Sequence, residues 1–308
     1  MAKQTLRTWI VPLYLLAQSS GSGLLILPSA VLLFGETAPG TMPLLAGGLG
    51  ALAVLIVALG AYLFAMRWLV PPFHSQPTYA DSNWALYSWC SSVSLAMLAG
   101  AWWVLEYAAN ASWLGADMFE TVRDPLLWLI LLGAFVTALL FAFLLGHDPA
   151  CAMWRSTLLP PHLTLRAVLA GSSAWLMLGA FIPLADPLAQ IAPLVFTLAL
   201  LANLLCILGE FGMMRTDATA TAAIRQITRG VHRDLFWWGA LGLGHVAPLG
   251  LLLLDHPLLR AQAGLYALVG LFCYEYVYIV APRRVALAAN QPERAARPNA
   301  LVENKGQP

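Results

Sequence analysis

Residues 125–145 read PLLWLILLGAFVTALLFAFLL, an apolar run with no charged residue. A helix rises 1.5 Å per residue, so about 20 such residues match the hydrocarbon thickness of a bilayer. The run predicts a membrane-spanning helix. Working outward, seven more runs of similar character appear: Trp9–Phe34, Leu44–Leu69, Trp84–Ala109, Leu163–Leu184, Leu188–Gly212, Leu235–Leu254 and Ala261–Val280. Pro39-Gly40, Pro71-Pro72, Pro160-Pro161, Asp186-Pro187 and His256-Pro257 punctuate the connections. The first run is too long for a signal-peptide core and no A-x-A-like site closes it at the right distance, so it reads as a retained helix. The expected fold is an all-α membrane protein with eight transmembrane helices.

Composition agrees. The 308 residues are 60% hydrophobic and 10% charged, with a mean hydropathy of +0.74. That excludes a soluble domain, a disordered chain and a secreted disulfide scaffold. A net charge of +1 gives no reason to expect a nucleic-acid partner. Cys90, Cys151, Cys206 and Cys273 are far apart, with no CxxC or metal-ligand spacing. The chain divides into an integral membrane domain, residues 1–285, and a polar tail, residues 286–308, carrying Pro292, Pro298 and Pro308. The longest polar loop, Met213–Asp234, is short by domain standards, and no fixed-period repeat is visible.

Eight spans put both termini on one side. That side holds Lys3, Arg7, Arg67, Arg155, Arg166, Arg215, Arg225, Arg229, Arg233, Arg283, Arg284, Arg294, Arg297 and Lys305, whereas the other holds Arg123 and Arg260. By the positive-inside rule the termini face the cytoplasm.

Polar groups within spans mark candidate sites, since uncompensated charge in hydrocarbon is costly. Gln18 and Ser22 share a face of the first helix. Arg67 ends the second, Ser88 begins the third beside Tyr87 and Trp89, and Glu275 lies between Tyr274 and Tyr276 at the end of the eighth. All lie toward the cytoplasmic side, where they can converge on one polar, aromatic-lined cavity. The alternative for the serines and tyrosines is helix packing or interfacial anchoring. For Arg67 and Glu275 two readings stand: they pair with each other, or they hold a ligand head group between them. His245 is the only mid-span histidine. It bonds a neighbouring helix or donates to a ligand oxygen. His74, His147, His162, His232 and His256 fall in loops or at helix ends, which disfavours a haem held between two histidines. Glu106 and Glu210 are either relays for protons or interfacial carboxylates.

The string Tyr274-Glu-Tyr-Val-Tyr-Ile-Val-Ala-Pro-Arg-Arg-Val285 resembles the closing motif of the NrfD/PsrC family, the membrane subunits of polysulfide-reductase-like complexes. Trp154-Arg-Ser-Thr-Leu-Leu-Pro160 is similar to the family's Trp-x-x-x-Leu-Leu-Pro. Gly171-Ser-Ser-Ala174, Phe236-Trp-Trp-Gly239 through Pro248, and Tyr14 with Gly21-Ser-Gly23 resemble further family segments in the same order. The resemblance spans nearly the whole chain. It implies two four-helix bundles and a menaquinone or ubiquinone site near one membrane face. It also implies an iron–sulfur electron-transfer subunit docked there, wired to a molybdopterin catalytic subunit. No haem or iron–sulfur cluster is expected in this chain. The resemblance carries the quinone site to Gln18, Ser22 and Glu275; with the polar groups read above, the expected quinone-binding residues are Gln18, Ser22, Arg67, Ser88, His245 and Glu275, with Glu106 and Glu210 on a proton path. The chain reads Leu140-Phe-Ala-Phe143 where the family often has a Tyr-x-Gly step, and Ala281-Pro-Arg283 in place of Ala-Gly-Gln. A quinone here would therefore sit differently. Charge bias places the catalytic module on the cytoplasmic face of the inner membrane. A solute transporter and a structural anchor without quinone chemistry are the competing classes.

Overall fold

Apolar runs become helices here, and their ends are set by local chemistry. A computed structural model describes residues 9–35, 41–73, 83–147, 151–184, 186–212, 217–254 and 256–289. Along it lie α1 (Ile10–Phe34), α2 (Thr41–Phe73), α3 (Asn83–Asn110), α4 (Ala116–Gly146), a 3-10 turn (Ala152–Arg155), α5 (Leu159–Leu178), α6 (Asp186–Gly212), α7 (Ala218–Thr228), α8 (Leu235–Leu252) and α9 (Pro257–Ala289). There is no strand among the described residues. Seven helices, α1 to α4, α6, α8 and α9, are long and apolar enough to cross a membrane. The chain is a multi-pass membrane protein.

The exception is α5. It starts four residues before the expected run, because Pro160 and Pro161 fill its first turn, where a missing N–H leaves no bond unmade. It ends at Leu178 rather than Leu184. Its polar residues are turned inward: His162, Arg166, Ser172 and Ser173 are all buried. α5 packs against α1, α4, α6 and α9, so protein rather than lipid surrounds it. α9 likewise continues past Val280 to Ala289, which makes residues 286–289 helical. The segment expected to be a polar loop contains α7. The Asp217 carboxylate caps it by accepting from the Thr219 and Ala220 amides, and Ala220, Ala223 and Ile227 form its buried stripe.

Direct backbone contact joins α1 to α5. A methyl group on Gly23 would lie 1.9 Å from the Ala167 carbonyl oxygen, and one on Gly171 would lie 2.0 Å from the Gly23 carbonyl carbon. Only paired glycines let the two backbones approach this closely. The same device joins α8 to α9 at Gly244 and Gly270.

Two tryptophans repair breaks made by proline. Pro28 in α1 has no N–H for the Leu24 carbonyl one turn earlier. The Trp175 indole of α5 donates to that carbonyl instead, at 3.1 Å. In α9, Pro282 strands the Tyr278 carbonyl, and the Trp154 indole donates to it at 3.1 Å. Both indoles are buried, where an orphaned carbonyl would cost the most.

The core forms two layers along the helix axes. One contains Tyr14, Tyr62, Phe141, Trp154, Leu163, Ile207, Phe236 and Tyr278. It lies at the end of the bundle where α1 begins and α9 finishes, called here the N-terminal face. The other contains Val31, Leu44, Trp102, Leu127, Trp175, Leu188 and Ala263. Helices alternate in direction through both layers, with α5 running alongside α1 in the same sense.

Candidate functional site

Polar side chains gather in the layer at the N-terminal face, in two groups. The first is built by α1, α3 and α4. Tyr14 and Gln18, four residues apart, share one face of α1. The Tyr14 hydroxyl hydrogen-bonds the Ser88 hydroxyl at 3.3 Å, and Gln18 Nε2 donates to the Thr137 carbonyl at 2.9 Å. Gln18 Nε2 also lies 3.5 Å from Ser92 Oγ, and Ser91 and Thr137 share a 2.6 Å hydroxyl–hydroxyl bond. Tyr62 and Phe141 pack on the Tyr14 ring, at 5.3 Å and 5.5 Å between centroids. Gln18 Oε1 and Ser22 Oγ are buried and have no hydrogen-bond partner among the described residues.

The second group is built by α5, α6 and α9. His162 and Arg166 stand one turn apart on α5, and Tyr274 and Glu275 project from α9. The Arg166 guanidinium forms an ion pair with the Glu275 carboxylate. His162 Nδ1 lies 3.2 Å from Glu210 Oε2, to which the Tyr274 hydroxyl also donates at 2.8 Å. The Tyr274 ring lies between the two pairs. Arg166 sits 5.3 Å from its centroid, the His162 ring is also 5.3 Å away, and Tyr278 stacks on it at 5.4 Å. All of these side chains are buried. Two carboxyl groups, one guanidinium and one imidazole thus share a dry interior, where a charge is tolerated only with a partner at hand.

His245 stands apart from both. Its Nδ1–H donates to the Ala240 carbonyl at 2.8 Å, five residues earlier in a π-helical stretch, Leu235–Val246. That leaves Nε2 to accept from Asn203 Nδ2 on α6 at 3.0 Å. Of the two sequence-level readings for His245, the structure displays the bond to a neighbouring helix.

The expected site residues thus fall in different places. Gln18 and Ser88 belong to the first group, Glu210 and Glu275 to the second, and His245 is bonded to α6. Glu106 is buried in the other half of α3, and its Oε2 has no hydrogen-bond partner among the described residues. The Arg67 side chain lies outside the described residues. Glu275 pairs with Arg166, a residue counted above among the basic groups of one membrane face but buried inside the bundle.

No protein-family model matches the chain, and no curated protein does either. The geometry therefore stands by itself. No group of three or more His, Cys, Asp or Glu side chains suited to a metal occurs among the described residues. What the arrangement offers is proton-exchanging and hydrogen-bonding groups, held out of water just beneath one face.

Sequence reasoning placed Tyr274 only as an aromatic flank of Glu275 and missed His162 and Arg166. A signal was present: His162 and Arg166 are spaced to share a helix face, and Arg166 lies inside the run Leu163–Leu184 rather than before it.

Proposed function

We propose that this chain is the quinone-reactive membrane subunit of a multi-subunit oxidoreductase. It exchanges electrons with an iron–sulfur subunit and anchors a molybdopterin catalytic subunit on the cytoplasmic face of the inner membrane. The observation that carries this reading is the buried His162–Glu210–Tyr274–Arg166–Glu275 network beneath one face. The ordered resemblance of its motifs to the NrfD/PsrC family adds support. A bound quinol supplies two electrons and two protons, so its site needs acceptors for protons that are already shielded from water. Gln18 Oε1, Ser22 Oγ and Glu275 Oε2, buried and without a hydrogen-bond partner among the described residues, are acceptors suited to a hydroxyl donor. In this reading His162 and Glu210 hold and pass protons, while Arg166 and Tyr274 fix the two carboxylates in place.

The reading takes α5 as an eighth span. Its 20 residues extend about 30 Å, and it lies parallel to α1 through both core layers. Two four-helix bundles are supported by the packing of α1, α2, α3 and α4 as one ring and of α5, α6, α8 and α9 as another. Exposed Arg155, Arg225, Arg229, Arg233 and Arg284 at the N-terminal face, against Arg123 and Arg260 at the other, support a cytoplasmic orientation.

The test is a binding titration of the purified protein with a fluorescent hydroxyquinoline-N-oxide, a quinone-site inhibitor class, together with analysis of co-purifying subunits. Saturable quenching is expected, with affinity at least about tenfold weaker in Gln18→Ala and Glu275→Gln. Co-purification of iron–sulfur and molybdenum proteins without inhibitor binding would instead establish a structural anchor. A specific observation favours a second reading, a solute transporter: the 12-residue π-helical stretch of α8 is an irregularity of the kind that often marks a functional site inside a helix. Substrate-dependent uptake into proteoliposomes, with no inhibitor binding, would establish that one.

A further inference from the structure

Where the α7–α8 connection meets the first turn of α8, the surface at the N-terminal face has an open cleft of about 360 Å³ lined by Arg233, Asp234, Trp237 and Trp238. The Trp237 indole donates to the Thr228 carbonyl at the end of α7, at 3.0 Å. Its ring also meets Phe236 edge-on at 5.3 Å. Trp238 is 76% exposed. Arg233 Nε lies 3.3 Å from Asp234 Oδ1, yet both side chains are mostly exposed. An exposed pair of this kind contributes little by itself and opens readily.

The cleft lies at the first turn of a helix long and apolar enough to cross a membrane, and the ends of such a helix reach the head-group region. Exposed indoles belong there on general grounds. A cation and an anion side by side in the same cleft do not follow from an aromatic belt. They are the complement of a zwitterion, and toward the bilayer interior α8 presents apolar Val246, also exposed. We propose that this cleft binds a phospholipid whose head group joins a phosphate to a primary ammonium, of the phosphatidylethanolamine type. The phosphodiester oxygens accept from the Arg233 guanidinium. The ammonium donates to the Asp234 carboxylate and rests against an indole face, where cations are attracted. One acyl chain follows the lipid-facing side of α8. An anionic head group would gain the same arginine but would meet Asp234 with like charge.

The test uses the full-length protein, delipidated in detergent and given equimolar phosphatidylethanolamine and phosphatidylglycerol, with retained lipid read by native mass spectrometry. The wild type should favour phosphatidylethanolamine by about two- to fivefold, the weight of one exposed ion pair. Asp234→Asn should abolish that preference, Arg233→Ala should lower retention of both lipids, and Trp238→Ala should weaken phosphatidylethanolamine. All three side chains are exposed, and gel filtration of each variant is the check that it remains folded. Equal retention by the wild type, a preference for phosphatidylglycerol, or an unchanged ratio in Asp234→Asn would overturn the proposal.

Discussion

Replacing Trp175 by Phe removes the indole N–H that reaches the Leu24 carbonyl across the α1–α5 interface. Pro28 has already taken away the backbone N–H that would serve it. The carbonyl would be left buried without a partner, at a cost of about 1–3 kcal/mol. The smaller ring adds a packing loss, because Trp175 is buried and packs so tightly on α2 that a methyl on Gly47 would lie 2.3 Å from its ring. The two contributions separate in a double-mutant cycle. Pro28→Ala restores an N–H to Leu24, so in that background Trp175→Phe should lose only the packing part. The coupling between the substitutions should be about 1–2 kcal/mol in reversible unfolding in mixed micelles. Additivity within about 0.3 kcal/mol would refute the reasoning, because distant independent sites behave that way.

Three further outcomes are expected. Gly23→Ala and Gly171→Ala should each destabilise by about 3 kcal/mol or prevent accumulation of folded protein, because neither backbone can yield to a methyl group; thermal unfolding and yield after solubilisation check this. Arg166→Met should cost about 3–5 kcal/mol by stranding Glu275, and Arg166→Met with Glu275→Leu should recover most of it, as chemical denaturation in micelles will show. Burial, and then the positive charge of Arg284, hold His232 below its usual pKa. The folded state thus binds fewer protons there than the unfolded state, so its contribution to stability is complete above about pH 6.5 and is lost as pH falls toward the depressed folded value. Hydrogen exchange of the α7–α8 connection should accelerate over that window in the wild type but not in His232→Gln.

The spanning helices were legible because hydrophobic runs of bilayer length have few alternatives. Their ends were less so. Proline was read as punctuation between helices, but Pro160, Pro161 and Pro257 occupy first turns, where proline is at home. α7 was hidden in a polar loop, although Asp217 followed by Ala220, Ala223 and Ile227 carries a cap and a helical stripe. The π register of α8 could not be read at all, since an apolar run shows no period. Candidate residues were sought by asking which polar groups lie in hydrocarbon. That question picked out Gln18, Ser88, Glu210 and Glu275, which the structure places in two buried polar groups, but assigned Arg166 to a membrane face. Pairing depends on which helices become neighbours, and α5 beside α9 is a fact of packing rather than of sequence.

The glycine contact between α1 and α5 bears on how the protein is made. The two glycines are about 150 residues apart in order of synthesis, and at ~5–20 residues per second the ribosome needs on the order of ten seconds between them. For that interval the first helix is in the membrane without the helix that covers it, its small-residue face open to lipid or to the insertion machinery. The α1–α5 contact cannot form until α5 has been made. A nascent chain halted before residue 171 should therefore leave the glycine face of its first helix open to crosslinking by that machinery, and one halted far enough past 178 for α5 to clear the ribosome should release it.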